Sequence, residues 1–105
     1  MRLSDAISNL SNLDYNDVIF ARKPWTPKSE ADVAPLDQEF RAPEAIKKRG
    51  LDYFLEVTVA NEVLAVFGER IPTFDQVCDL IFFYAENDAF PEWVFRRPPK
   101  GGLTI

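Results

Sequence analysis

Near the start of the chain, hydrophobic positions recur three or four residues apart, at Leu3, Ala6, Ile7 and Leu10. This spacing places them on one face of a helix, with Asp5 in its first turn. The pattern predicts a short N-terminal helix that ends near Asn12.

Two β-favouring segments follow this helix. The first, Asp17–Lys23, has the centre Val-Ile-Phe and is bounded by Asp and Pro, and the second covers Asp32–Leu36. The connection between them contains Pro24 and Pro27 and is too long and polar for a tight hairpin. We therefore predict a small two-stranded antiparallel element near the N-terminus.

Trp25 lies in the connection between these two segments. A tryptophan in such a loop more often folds back and seals an edge of the core. The alternative is that its ring lines a contact site for a partner.

A short basic helix is predicted over Arg41–Gly50. Pro43 suits its first position, Lys47–Arg49 suits its last turn, and Gly50 can close it. The charges favour the helix dipole and solubility. Whether Lys47–Arg49 also binds an anion stays open.

The segment Asp52–Gly68 fits two periods. One helical stripe contains Tyr53, Val57, Ala60, Leu64 and Phe67, but apolar residues also alternate from Tyr53 to Val59. Seventeen residues without a breaker exceed an ordinary strand, so we predict a central, largely buried helix. A strand from Tyr53 to Val59 followed by a helix is the alternative, since β-branched residues lower helix propensity.

A strong helix start lies at Thr73, where Gln76 completes a capping box. The predicted core stripe of this helix contains Phe74, Val77, Cys78, Ile81 and Ala85, flanked by Leu80, Phe82 and Tyr84. The opposite face contains Asp75, Gln76, Asp79, Glu86 and Asn87, with Phe83 among them. We expect Asn87 and Asp88 to end the helix by local hydrogen bonds and Phe90 to turn back under it.

Phe83 among carboxylates has two interpretations besides chance exposure. A loop, either the one after Pro91 or the one with Trp25, could fold over the ring and bury it. Alternatively the ring is an aromatic anchor in an acidic surface that recognises a basic partner. On the second interpretation, the candidate partner-binding residues are Phe83, Asp75, Asp79, Glu86, Asp88 and Trp25.

Length and composition predict one globular domain over residues 1–97 and a flexible tail over residues 98–105. The chain has 105 residues, 47% of them hydrophobic, and the tail contains the segment PPKGG. Its single cysteine, Cys78, excludes an intrachain disulfide and favours a cytoplasmic location. We expect neither a membrane span nor a signal peptide.

Missing residue types exclude several kinds of site. The chain has no histidine, which excludes Ser-His-Asp triads, Cys-His dyads and histidine-ligated zinc, and it has no glycine-rich phosphate loop. Glu86, Asp88 and Glu92 could form an acid/base pair or a divalent-metal site, but they lie around a helix end and match no such motif. We expect no catalytic residue, no metal and no cofactor.

The net charge of −5 is unevenly placed. Arg96, Arg97 and Lys100 give the segment from Val94 onward +3, whereas the preceding residues carry 17 carboxylates against nine basic side chains, or −8. An acidic body repels nucleic acid backbones, so we expect no nucleic acid partner.

The segment YFLEVTVANEVL, the Pro-Thr helix start and FFYAENDAF together resemble a group of small bacterial single-domain proteins, some of which look like immunity proteins of polymorphic toxin systems. The similarity covers about Leu51 to Phe90, and the segment Pro24–Pro27 shows a weaker similarity earlier in the chain. It implies an α+β domain and a stoichiometric inhibitor of a basic, nuclease-type toxin, and it carries over no catalytic residue.

Taken together, these features predict an α+β fold that is mainly helical, with about four helices. The predicted function is a non-catalytic protein-binding domain, of the immunity type, that occludes a basic bacterial toxin. The alternatives are a homo-oligomeric adaptor or structural module, in which a homodimer forms through exposed aromatics, and a carboxylate-dependent enzyme.

Overall fold

A three-stranded antiparallel sheet lies at the centre of the computed structural model, which describes residues 1–95. Its strands are β1 (Val18–Ala21), β2 (Ala31–Ala34) and β3 (Asp52–Glu56), in the order β2-β1-β3. The described α-helices are α1 (Leu3–Ser8), α2 (Glu44–Lys48), α3 (Val57–Leu64) and α4 (Phe74–Asn87). Short 3-10 helices cover Leu10–Asn12, Ala65–Phe67 and Glu92–Phe95.

The predicted α+β class and four helices agree with this architecture, but the prediction for the sheet is wrong in two respects. The sheet has three strands instead of two, and they lie in the middle of the chain instead of near its N-terminus. The predicted tail at residues 98–105, with Lys100, and the basic side chains Arg96 and Arg97 lie outside the described residues.

The predicted continuous helix over Asp52–Gly68 is also wrong, and the alternative of a strand followed by a helix describes the segment better. β3 passes directly into α3 at Glu56, whose backbone is still extended (φ −70°, ψ 143°). Neither Gly nor Pro marks this junction, so the absence of a breaker could not separate one long helix from two elements. The conformation of β3 depends on its pairing with β1, which lies far away in the sequence, so local sequence patterns do not reveal it.

An irregularity in the β1–β3 pairing makes the burial of side chains in this strand depart from strict alternation. Ile19 pairs with Leu55 and Phe20 pairs with Tyr53, so Phe54 is an extra residue on β3. Phe54 and Leu55 are consecutive, yet both are buried in the main core. The bulge therefore places two neighbouring side chains in one core where strict alternation would separate them.

The sheet separates two clusters of buried side chains. Ile19 and Ala21 of β1 join the larger cluster, which is formed with α1, α3 and α4. Val18 and Phe20 project to the other face and pack with Ile46 of α2 and with Leu51. Since β1 is the central strand and contributes to both clusters, it is buried along its whole length.

The end of α2 is tied to the β2 strand by a group of charges. The Glu30 carboxylate accepts hydrogen bonds from Arg22 and Arg49, each at 2.9 Å, and Arg49 also donates to Asp32 at 2.5 Å. These hydrogen bonds, from Arg49 first and then Arg22, lower the pKa of Glu30 to about 2. Arg49 thus contacts carboxylates of the fold, whereas Lys47 and Lys48, which are also exposed, take part in none of the ion pairs of residues 1–95.

Candidate functional site

The start of α4 is fixed by the predicted capping box. The backbone N–H of Gln76 donates to Thr73 Oγ1 at 3.1 Å, and the N–H of Thr73 donates to Gln76 Oε1 at 2.9 Å. Two backbone donors that lack helical partners are thereby satisfied. Asp75 lies in this first turn, where a carboxylate is favoured by the helix dipole.

The end of α4 also lies where it was predicted. Asp88 adopts a left-handed backbone (φ 53°), and its N–H donates to the Tyr84 carbonyl at 2.7 Å. The Asn87 side chain donates to the Phe83 carbonyl at 2.9 Å. Phe90 then turns back, and its ring packs edge-on against Tyr84 with centroids 5.3 Å apart.

The buried face of α4 is rotated slightly from the predicted stripe. Cys78, Leu80 and Ile81 are buried, although Leu80 was expected only at the flank. Phe74 was expected in the core but is 45% exposed, because it is the first residue of the helix and reaches past the edge of the core. The opposite face keeps its predicted exposure.

We define the acidic ridge as Asp75, Asp79, Phe83 and Glu86 on the outer face of α4. They are four or three residues apart and therefore follow one side of the helix. All four are exposed, Phe83 at 38%. Two loops were considered as possible covers for the Phe83 ring, but within residues 1–95 the ring remains partly exposed: Trp25 packs against Phe54, and Trp93, in the segment after Pro91, packs against Phe67.

The carboxylates of the acidic ridge have no cationic partner within residues 1–95, where the ion pairs involve other residues. The charges of two of these carboxylates affect the nearby thiol of Cys78. Burial raises the pKa of Cys78, and the charges of Asp75 and Asp79 raise it further. Within the described part of the chain, the ridge is thus a surface of negative charge without a cationic partner around an aromatic ring.

The two remaining candidate residues lie elsewhere. Trp25 is half-buried, stands edge-on to Phe54 at 4.9 Å and donates its indole N–H to the Ala21 carbonyl at 3.1 Å. This is the placement expected of a ring that seals a core edge. Asp88 faces a cleft at the end of α4 instead of the ridge.

This cleft was not anticipated from the sequence. It has a volume of about 390 Å³ and lies between β3 and the end of α4, lined by Tyr53, Phe54, Leu55, Glu56, Val59, Tyr84, Ala85 and Asp88. It could not be predicted while β3 was assigned to a helix. Two exposed apolar side chains were also missed, Phe40 at 83% and Ile71 at 95%. Each is an isolated apolar residue beside polar or turn residues, which is the only signal the sequence offers.

Other kinds of site find no support in the described residues. No group of three or more Asp, Glu or Cys side chains in residues 1–95 is arranged to hold a metal ion, and this includes the neighbourhood of Glu86, Asp88 and Glu92. No described helix combines the length and the apolar character needed to cross a bilayer.

Comparison with known proteins gives one match. The model of a family described as a domain of unknown function, DUF7716, matches residues 1–93. No curated protein and no solved structure matches the chain.

Proposed function

We propose that this chain, which belongs to the DUF7716 family, is a non-catalytic protein-binding domain that recognises a basic protein partner through the acidic ridge. The observation that carries the proposal is the ring of Phe83, exposed among three carboxylates that have no cationic partner in residues 1–95. The proposal requires no cofactor and no metal.

The physical argument concerns what such a surface gains on binding. Exposed carboxylates attract a basic partner over several ångströms and raise the association rate. A partly exposed aromatic ring gains affinity when the partner removes it from water. The combination of an aromatic ring with three neighbouring carboxylates, and not the ring alone, supports recognition of a basic partner.

The class of partner follows from charge and from the resemblance of the segment Leu51 to Phe90 to small bacterial proteins of the immunity type. An acidic domain of that kind would inhibit a basic toxin, for example a nuclease, by covering its substrate-binding surface in the cytoplasm. The net charge of −5 supports a basic protein over a nucleic acid as partner.

The proposal is tested by co-expression with the protein encoded immediately upstream. We expect a stable complex, and the double variant Asp79→Lys with Phe83→Ala should weaken it about a hundredfold, because one aromatic anchor and one charge pair are removed together. The matched control is Glu62→Lys with Tyr15→Ala, which changes an exposed carboxylate and an exposed ring outside the ridge. Equal binding by both variants would eliminate this face.

The second candidate is a homo-oligomeric adaptor or structural module. It is favoured by the exposure of Phe74, Phe90 and Phe95, which could pair with a second copy. Light scattering at micromolar concentration separates the two candidates, because a strict monomer eliminates the oligomer.

A further inference from the structure

β3 is an outer strand with a free edge. In the order β2-β1-β3 it pairs with β1 alone, so its other side has no strand partner among the described elements. That side borders the cleft of about 390 Å³. Four consecutive residues of β3, Tyr53 to Glu56, line the cleft, so it runs along the strand. Because the side chains of Phe54 and Leu55 are buried in the core, these two residues border the cleft at the edge of the strand.

The backbone of Glu56 is oriented toward this edge. The N–H of Val57 donates to the Asp17 carbonyl at 3.0 Å, and Val18 lies opposite Glu56. In an antiparallel pair of strands, a hydrogen bond between Val57 and Asp17 means that Glu56 and Val18, which lie opposite each other, do not hydrogen-bond to one another. The N–H of Glu56 consequently points away from β1, toward the cleft, where it can donate to an added strand.

The walls of the cleft are negative. Glu56 contributes a carboxylate from the strand and Asp88 contributes one from the end of α4, and among residues 1–95 no lysine or arginine lines the cleft. The last carbonyl groups of α4 add the negative end of the helix dipole. The pKa of Tyr53 is raised by burial and then by the Glu56 charge, in agreement with a negative environment.

The same charges disfavour pairing with a second copy. If two β3 strands paired antiparallel about Phe54, Asp52 of each copy would lie near Glu56 of the other, at both ends of the strand. Like charges opposite each other destabilise a strand pair. The charge pattern thus disfavours a second copy in this register and suits a basic segment.

We propose that the free edge of β3 docks an extended lysine- or arginine-rich segment of a protein partner, which adds to the sheet as a fourth strand and lies in the cleft against the end of α4. Main-chain hydrogen bonds to the strand edge fix the segment, and the carboxylates of Glu56 and Asp88 select basic side chains. This surface is separate from the acidic ridge, and the proposal does not depend on the proposed function.

The test titrates the full chain with a short synthetic peptide of alternating lysine and valine. Binding is followed by backbone NMR shifts of Tyr53 to Glu56 and by hydrogen exchange of the Glu56 amide, which we expect to slow about tenfold or more as it gains a partner. Two control peptides separate the sources of affinity. One is N-methylated at every second residue and keeps the charge but loses the strand hydrogen bonds, and the other carries glutamate for lysine; neither should bind at the same concentration.

Two substitutions of Glu56 separate the contribution of its backbone N–H to peptide affinity from the contribution of its carboxylate. Glu56→Gln removes the charge and keeps the N–H, and we expect it to weaken the lysine peptide about threefold. Glu56→Pro also removes the N–H, at a backbone φ of −70° that proline accepts, and should weaken it about tenfold or more. The control variant Glu39→Lys makes a larger change of net charge than Glu56→Gln at an exposed carboxylate that belongs neither to the ridge nor to the cleft, and it should keep the affinity within about twofold, because salt screens distant charges.

Three outcomes overturn the proposal. Equal binding of the N-methylated and unmodified peptides would show attraction by charge alone. Protection of the Glu56 amide without peptide that grows with protein concentration would assign the edge to a second copy. Protection without peptide that is independent of concentration would assign it to a segment of the chain itself. If Glu56→Pro fails to fold, the comparison of the unmodified and the N-methylated lysine peptide on the unaltered chain still tests whether strand hydrogen bonds contribute to binding.

Discussion

Trp25 stands edge-on to Phe54, with 4.9 Å between the ring centroids, and Phe54 in turn contacts Phe82 of α4 at 5.6 Å. A loop residue is thereby joined to the central sheet and to the longest helix. We expect Trp25→Ala to lower the free energy of unfolding by about 2 kcal/mol, less than for a fully buried tryptophan because the ring is half-buried. Urea denaturation measures this change.

The control for this prediction is Trp25→Phe, which keeps an aromatic ring against Phe54 and loses the hydrogen bond to the Ala21 carbonyl. It should cost about 1 kcal/mol, the net value of one such bond. If Trp25→Ala leaves stability unchanged, the ring is not part of the core edge and its role as a partner contact gains weight.

The capping box at Thr73 gives a second prediction. Thr73→Ala should lower the free energy of unfolding by about 1 kcal/mol, because the backbone N–H of Gln76 loses its acceptor at the helix start. Thr73→Ser keeps the hydroxyl and should change stability by a few tenths of a kcal/mol. Urea midpoints of the two variants, compared at one pH, provide the measurement.

The contacts of Glu30 with Arg22 and Arg49 predict a dependence of stability on pH. The pKa of Glu30 is lowered from 4.5 to about 2 in the folded chain. A lowered pKa means that the ionised form is favoured by folding, so its contribution is present above pH 4.5 and is lost as the pH falls toward 2. Between these values, the urea midpoint of the natural chain should fall more steeply than that of Glu30→Gln. Parallel curves would show that the two arginines contribute nothing measurable.

Phe40 predicts a gain of stability on substitution. Its backbone is left-handed (φ 62°), it lies in a turn held by hydrogen bonds to Asp37, and its side chain is 83% exposed. Phe40→Asn should raise the free energy of unfolding by about 0.5 kcal/mol, since asparagine tolerates this conformation better. Phe40→Ala removes the ring but keeps the strain, so it should change stability little. A loss of stability in both variants would mean that the ring contributes to the fold.

The sequence was informative where local signals suffice. Thr73 with Gln76 marks the start of α4 and Asn87 with Asp88 marks its end, because these residues bond to the backbone within one turn. Phe83 could be placed on the outer face from helical periodicity alone. These features depend on residues at most a few positions apart.

The third strand and its cleft depend on contacts that the sequence does not display. Tyr53 and Leu55 become strand residues by pairing with Phe20 and Ile19, more than 30 positions earlier in the chain. The bulge at Phe54 also buries two consecutive side chains, Phe54 and Leu55, which alternation does not predict. An error in one element thus concealed the free edge of β3 and the cleft beside it.

The acidic ridge predicts opposite effects of one substitution on stability and on binding. Asp75 and Asp79 are four residues apart on α4, where like charges destabilise a helix. Asp79→Lys replaces this repulsion by attraction and should raise the free energy of unfolding by about 0.5 kcal/mol at low salt, an effect that disappears at about 1 M salt. If the proposed function is correct, the same variant should bind the basic partner less tightly. Glu62→Lys on α3 is the control, since it makes the same change of net charge outside the ridge.

A surface selected for stability would not keep two carboxylates at these positions, so a stabilising Asp79→Lys would support their role in recognition. A destabilising result would show that Asp79 has a structural role and would remove this argument for the ridge.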